Sequence, residues 1–379
     1  MEERKEYKLG EVCDTISETY KRGAQDVVLI NTSDVLEGKC LNHTKVTNEN
    51  LKGQFKKTFQ LNDILYSEIR PANKRFAYID FDATDYIAST KLMVLRHNDK
   101  ILPQYLFYIL KSQNIIDTLQ MLAESRSGTF PQITFSELAN LDILLPNKEL
   151  QNKIVSILSF LDDKIEVNRR INEQLEEMAQ ALFKSWFVDF EPFKDGEFVE
   201  SELGMIPEGW KVGKLGDVAE VCSGKRPPMK QSEKTEDINI PLIGASSVMG
   251  FTNGVLYNKP ILIIGRVGTH GIVQRFNTPC WPSDNTLVIE STNHEYVYQI
   301  LKTIDYKSLN RGSTQPLITQ TDIKNQVILI PQEDVLVRYN EMVSKLMDKS
   351  YNNQQEILHL TALRDTLLPK LMSGEIAVE

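Results

Sequence analysis

The chain has 379 residues, of which 41% are hydrophobic and 25% charged, with a formal net charge of −9. That length exceeds one ordinary core, and the composition is that of a soluble globular protein of two domains or more. No apolar run reaches the roughly 18–20 residues that a membrane span needs, and the charged opening, residues 1–6, lacks the apolar stretch of a secretory signal. A cytoplasmic protein with no membrane partner is therefore expected. Cys13, Cys40, Cys222 and Cys280 lie far apart and form no C-x-x-C pair, and the five histidines are scattered, which predicts reduced thiols and no metal site.

The net charge is unevenly distributed. Residues 1–149 carry 19 basic against 21 acidic side chains, and residues 211–332 carry 13 against 10. The negative excess sits at 150–210, with 6 against 13, and at 333–379, with 5 against 8. A nucleic-acid partner is thus not excluded, because local basic loops in the other two segments are free to face phosphates.

In chain order, residues 1–148 mix short β-rich runs, such as Ile64-Leu65-Tyr66 and Leu92-Met93-Val94-Leu95, with a helical run at 104–112. Gly, Pro, Asn and Asp bound the runs, and the mixture predicts an α+β domain with a twisted sheet. A long helix is predicted over 149–187, a stretch without Pro or Gly. Its apolar residues Ile154, Ile157, Leu158, Leu161, Ile165, Ile171, Leu175, Met178, Leu182 and Trp186 recur in steps of three and four, the seam of a helix that packs on another long helix. Asn168 interrupts the seam near its middle. Residues 188–210 read as a connector in which Gly204, Pro207 and Gly209 stop any helix. Residues 211–332 repeat the plan of the first domain, with β-rich runs at 261–264 and 287–289 and a helical run at 296–302. A second long helix is predicted over 333–372, leaving a tail at 373–379.

The two long helices share a seam. Shifted by 185 residues, Tyr339, Met342, Val343, Leu346, Leu360, Leu363, Leu367 and Leu371 fall on seam positions of the first helix, and Asn353 stands where Asn168 stood. Two unrelated surface helices would not share an offset. The helices are expected to pair as an antiparallel coiled coil about a pseudo-twofold axis, with Asn168 facing Asn353; a buried Asn pair trades stability for fixed register.

The repeat extends beyond the helices. Lys8-Leu9-Gly10-Glu11-Val12 recurs as Lys214-Leu215-Gly216-Asp217-Val218, and Gly128-Thr129-Phe130-Pro131-Gln132-Ile133-Thr134 as Ser313-Thr314-Gln315-Pro316-Leu317-Ile318-Thr319. Their offsets, 206 and 185, make the second globular unit 21 residues shorter than the first. Further landmarks are D-I-L-Y-S-E-I-R-P (63–71), E-S-E-L-G-M-I-P-E-G-W (200–210), I-I-G-R-V-G-T-H-G (263–271), S-D-N-T (283–286) and L-L-P-K-L-M-S-G-E-I (367–376).

In this order and on a duplicated frame, these stretches resemble the specificity subunit of type I restriction–modification systems, from end to end of the chain. One departure is that P-N-K-E-L-Q (146–151) and P-Q-E-D-V-L (331–336) lack the Glu-Gln pair many members carry at the helix start. The resemblance implies two target-recognition domains, each reading one half of a split site in double-stranded DNA, held apart by a conserved antiparallel coiled coil. It also implies partners: two modification subunits that methylate adenine with S-adenosylmethionine, and motor/nuclease subunits that use ATP and Mg2+. No cofactor is implied for this chain.

The residues agree with a non-catalytic role. There is no G-x-x-x-x-G-K-[ST] loop, no Asn/Asp-Pro-Pro-aromatic motif of amino-methyltransferases and no Ser/His/Asp set. Asp80, Asp82 and Asp85 could be proposed as a nuclease cluster but read as a solvated turn, and Trp281 reads as a packing residue.

Bases are told apart by Arg, Lys, Asn and Gln at groove edges, while Ser, Thr and backbone amides hold phosphates. The candidates sit in punctuated loops at equivalent places in both units: Arg70, Lys74 and Arg75 with Arg266, Thr269 and His270; Arg126, Ser127, Thr129 and Gln132 with Arg311, Ser313, Thr314 and Gln315; and Lys21 and Arg22 with Lys225 and Arg226. About 36 helical residues span roughly 54 Å, against about 34–36 Å for one turn of B-DNA. The unequal units predict a bipartite, asymmetric site with a nonspecific spacer. The competing reading is a coiled-coil adaptor that binds protein, not DNA.

Overall fold

The computed structural model describes residues 4–21, 23–49, 53–125, 131–268, 271–309 and 317–378. The chain divides into two units whose boundaries fall inside the long helices: Met1–Val167 with Glu356–Glu379, and Asn168–Gln355.

In the first unit a four-stranded antiparallel sheet runs in the order Cys13–Ile16, Leu92–His97, Ile64–Ser67, Phe76–Tyr78. Its central strands are fully buried at Ile64, Leu65, Leu92, Val94 and Leu95. That explains why they read as continuous apolar runs with no two-residue alternation. Lys45–Thr47, Asp26–Ile30, Tyr86–Ser89 and Phe55–Lys57 form a second sheet, parallel only between Asp26–Ile30 and Tyr86–Ser89. Helices α1 (Pro103–Leu110), α2 (Gln113–Glu124) and the short α3 (Phe135–Ala139) complete the unit. The helical run expected at 104–112 is α1; α2, with its apolar Ile116, Leu119 and Ala123 buried, went unpredicted.

The long helix α4 (Lys148–Phe187) follows. Asn147 starts it by accepting the Leu150 amide at 2.9 Å. Gln151, almost fully buried, accepts the Leu102 amide and donates to the carbonyls of Lys100 and Pro146.

The second unit repeats the central sheet with the same strand order: Glu220–Ser223, Thr286–Glu290, Ile261–Gly265, Val273–Phe276. Its second sheet has three strands where the first unit has four: Val248–Thr252, Ile240–Ile243 and Trp281–Pro282. Helices α5 (His294–Thr303), α6 (Gln320–Lys324) and the second long helix α7 (Glu333–Ser373) follow. The connector is an ordered part of this unit. It folds as a hairpin, Phe198–Ser201 on Gly204–Pro207, and delivers Trp210 against Phe187, Phe190 and Phe193.

The repeated motifs have structural explanations. In K-L-G-[ED]-V the acidic residue accepts the amide three residues back, Lys8 to Glu11 and Lys214 to Asp217, each at 2.7 Å. The apolar Leu9 and Leu215 plunge into the cores, and the glycine lets the turn lie on the following short helix, where a Cβ on Gly10 would stand 2.8 Å from that of Ala139. Thr134 and Thr319 each open a capping box with Glu137 and Asp322. In each repeat the strand carrying the lysine of the K-L-G motif pairs antiparallel with the strand that leads into the long helix, Lys5–Lys8 with Asp142–Leu145 and Lys211–Lys214 with Val327–Ile330.

The fold is therefore α+β with a duplicated plan, and α4 and α7 pack antiparallel in each unit. In the first, Arg364 meets Asp162 and Glu356 meets Lys164; in the second, Asn353 meets Asn172 and Tyr339 meets Trp186. The seam differs from the three–four count along the sequence. Met178, Met342 and Leu363 are 52%, 43% and 38% exposed, and their places are taken by Ala179, Phe183, Met347, Ile357, Arg364 and Leu368. A helix of 3.6 residues per turn drifts away from a strict three–four count over its length. Asn168 and Asn353 are both 1% exposed. The Asn353 amide donates to Asn172 at 2.9 Å, one turn along α4 from Asn168.

Asp162 is the polar centre of the first unit's seam. One carboxylate oxygen accepts from Lys111 at 2.8 Å and the Tyr108 hydroxyl at 2.9 Å, the other from Arg364 at 2.7 Å. Burial alone would push the Asp162 pKa up, but Lys111 and Arg364 outweigh it and hold the carboxyl below the usual range. Burial draws the Lys111 amine down, against the pull of Asp162. The stabilisation from the ionised carboxylate is therefore fully present above the unfolded carboxyl pKa, about 4, and disappears as pH falls through the lower folded value. Asp162→Ala is expected to cost about 2–4 kcal/mol at neutral pH, toward the low end for a broken buried pair because both partners keep some solvent. In urea titrations between pH 3 and 7, Asp162→Asn should flatten the wild-type loss of stability at the acid end.

Candidate nucleic-acid interface

In each unit three loops emerge side by side at one end of the central sheet, because antiparallel neighbours bring the end of one strand beside the start of the next. In the second unit these are the loop after Ser223, the S-D-N-T turn before Thr286, and the loop after Gly265. Gly224 donates its amide to the Thr286 carbonyl and Lys225 to that of Pro282, at 3.1 and 3.0 Å, and the Trp281 indole nitrogen donates to the Lys225 carbonyl at 2.8 Å. Arg266 donates its amide to the Asn285 carbonyl at 2.9 Å and accepts the Ile318 amide at 3.0 Å, which ties in the start of α6. There the Gln320 side chain meets the Ser223 hydroxyl.

The side chains on this end are basic and polar. Lys225 and Arg226 are exposed. Arg266 is half-buried, and its Nε has no partner among the described residues, as is true of the buried Ser283 hydroxyl. Buried polar groups without partners are costly in a finished core, which sets these two apart from the satisfied polar groups around them. Thr286, fully buried, holds the turn by donating to the Ser283 carbonyl at 2.7 Å. Trp281 is half-buried against Gly254 and braces the Lys225 loop.

The first unit uses the same end. Arg70 is exposed and adopts a left-handed backbone (φ 44°), with its amide donated to the Pro131 carbonyl at 3.1 Å. A bridge between Ile69 and Gln132 fastens the two loops together, and Val267 with Leu317 does the same in the second unit. Lys91 donates to the Gln132 side chain at 3.2 Å and lies 3.9 Å from Glu68. Lys21 is exposed on the third loop, whose Tyr20 amide bonds to Lys56. Thus Arg70 and Gln132 are brought together, as are the Lys225, Arg226 and Arg266 loops.

Other predicted residues serve locally. Arg75 donates to the carbonyls of Ser33 and Val35, and Lys74 lies 3.9 Å from Glu37. Arg22, Arg126, Ser127, Thr129, Thr269, His270, Arg311, Ser313, Thr314 and Gln315 lie outside the described residues. Lys91, Asn285 and Gln320 were missed by sequence reasoning. Asn285 lies inside the S-D-N-T stretch, and Gln320 directly follows the repeat that ends at Thr319, so extending that repeat by one position would have found it.

Among the described residues no group of three or more His, Cys, Asp or Glu side chains could hold a metal ion. Asp82 accepts the amide and hydroxyl of Thr84, a local turn, and Asp85 accepts from Tyr20. No described helix is long and apolar enough to cross a membrane.

A family model described as the type I restriction modification DNA specificity domain matches residues 1–177 and 207–361. The type I restriction enzyme HindI specificity subunit of Haemophilus influenzae is 32% identical across 99% of this chain and 100% of its own. The type I restriction enzyme MjaIX specificity subunit of Methanocaldococcus jannaschii is 34% identical over 74% of this chain and 71% of its own. Among solved structures, the type I restriction-modification system S subunit from M. genitalium has a similar fold, with TM-score 0.61 at 19% identity over 98% of this chain and 96% of that one.

Gly224 tests how the loop end is built. A Cβ there would stand 2.6 Å from the Pro282 carbonyl oxygen and 2.7 Å from the Thr286 hydroxyl, and closer still to Ser283. Gly224→Ala is expected to cost about 1–3 kcal/mol through this overpacking, read as a lowered thermal midpoint, while Gly53→Ala, which meets nothing within 4 Å, should not.

Proposed function

This chain belongs to the type I restriction–modification DNA specificity family, and on that premise we propose how its two units read a site. The chain is the DNA-recognition subunit of such a system and acts in complex with DNA and other subunits. Each globular unit reads one half of a bipartite site through the loop end of its central sheet. The observation that carries this is the coincidence of basic loops at the same sheet end in both repeats: Lys21, Arg70 and Lys91 in one, Lys225, Arg226 and Arg266 in the other. Because these loops differ in sequence and length, the two half-sites differ, and the full site is asymmetric.

The exposed lysines and Arg226 hold phosphates, and the braced residues Arg70, Arg266, Gln132 and Gln320 reach base edges; position comes from the first group and sequence discrimination from the second. Two modification subunits join the chain and methylate adenine with S-adenosylmethionine, and motor/nuclease subunits using ATP and Mg2+ cleave unmodified DNA. The chain itself is non-catalytic, which the missing methyltransferase and nucleotide-binding motifs support. The assembly works in the cytoplasm.

Two measurements on the assembled methyltransferase separate the roles. Lys225→Ala with Arg226→Ala should weaken binding to all sequences alike and reduce the salt-dependence slope by roughly 0.9 for each phosphate that is no longer neutralised. Arg70→Ala and Arg266→Ala should each relax one half-site only, by about 1–3 kcal/mol at the affected base pair, seen as new methylated sequences in long-read sequencing. Relaxation of the same half-site by both variants, or a single continuous palindrome as the methylated site, would refute the division.

A further inference from the structure

The 185-residue repeat relates each position of α4 to one of α7, so every contact between the helices has a counterpart with the roles exchanged. Asp162 corresponds to Met347, and Arg364 to Ala179. The pairs Asp162–Arg364 and Met347–Ala179 are therefore one level of the helix pair, seen once in each unit. In the first unit that level is ionic: Arg364 donates to Asp162 at 2.7 Å, and Lys111 and Tyr108 bond the other carboxylate oxygen. In the second unit Ala179 and Met347 are both buried in the apolar core.

A repeated helix can in principle pair with its own kind. The shared apolar seam, Ile154 and Tyr339, Leu158 and Val343, Leu161 and Leu346, offers similar burial to α4 with α7, to α4 with a second α4, and to α7 with a second α7. The ionic level separates the three. Two α4 helices from different copies would set Asp162 opposite Ala179 twice, and two α7 helices would set Arg364 opposite Met347 twice. Either arrangement loses the Asp162–Arg364 pair, leaving two Asp162 carboxylates with Lys111 and Tyr108 or two Arg364 guanidinium groups with Asp365, whereas α4 with α7 keeps the pair at one level and is apolar at the other. A buried pair adds little over apolar packing, but breaking it is costly; that asymmetry suits a selector better than a stabiliser. The Asn353–Asn172 bond adds to it, because two α7 helices would set Asn353 opposite Ile357. The Lys164–Glu356 pair, 43% exposed on both sides, is too solvated to contribute much.

We propose that Asp162 and Arg364 are a pairing determinant: they commit α4 to α7 and reject like-helix association with a second copy of this chain.

The test uses differently tagged full-length chains, one carrying Lys111→Glu and Asp162→Arg, the other Arg364→Asp. Within either chain residues 162 and 364 now carry like charges, and these two positions are opposite in charge only between the two chains. Unfolded and refolded together, the two should form mixed-tag dimers at a yield at least about tenfold above a wild-type mixture, measured by sequential tag capture and light scattering. A single chain carrying all three substitutions should refold to the wild-type oligomeric state. Mixed-tag yield equal to wild type overturns the proposal. So does failure of the triply substituted chain to recover, since the determinant would then be packing and not opposite charge.

Discussion

Neither globular core is closed by its own repeat. The first unit's core takes Leu368 and Leu371 from the last helix, and Arg4 near the chain start bonds the carbonyls of Leu371 and Met372 at the end of that helix. The second unit's core takes Ala179, Phe183, Trp186 and Phe187 from the end of α4, and the three aromatic rings surround Tyr339 of α7. Each unit is thus incomplete until a helix belonging to the other half of the repeat arrives. The pairing of α4 with α7 is the constraint on which both cores depend, and it explains why the helices keep their 185-residue register without a gap while the sheets between them differ in length.

That constraint frees the sheet ends. The strands of both central sheets are pinned by buried Ile, Leu and Val on one side and by the helices on the other, so the loops at one end carry little of the core. They can vary in length and charge at small cost to stability, as surface loops generally do. What remains common is the bracing: a bridge from the loop after the inner strand to the start of the short helix, Ile69 with Gln132 and Val267 with Leu317. A varied surface on a rigid support suits a protein that must discriminate among similar polymers, because a braced side chain pays less ordering entropy when it binds.

Most of the acidic excess lies on the helices and on the chain that joins them, away from these loops, so the overall charge of −9 misrepresents what the sheet ends present. Part of that acid is matched, Asp162 by Lys111 and Arg364 and Glu176 by Lys302, and within the second domain Glu295 is matched by Arg275. Burial raises the pKa of the Glu295 carboxyl, but His294 and Arg275 together bring it below its ordinary value. The Asp162 and Glu176 pairs hold α4 against its neighbours and cancel part of the negative charge there.

The amino-acid sequence by itself determined the duplicated plan, the extent of the two long helices, the α+β character and the family, because repeats and apolar periodicity are local patterns that survive without coordinates. It located the basic loops for the same reason: Gly and Pro punctuation marks where strands end. Tertiary structure decided the rest. The three–four count placed Met178, Met342 and Leu363 in the seam, and the structure exposes them, since drift over forty residues depends on how the helices actually meet. Helix α2 carries a legible apolar stripe, Ile115, Ile116, Leu119, Leu122 and Ala123, but no counterpart in the shorter second repeat marked it. Arg75 looked like a free guanidinium until Ser33 and Val35, some forty residues away, were seen to take it. Asp162 and Arg364 stand 202 positions apart, and no periodicity links an acid to its base at that distance; only the antiparallel meeting of α4 and α7 makes them a pair.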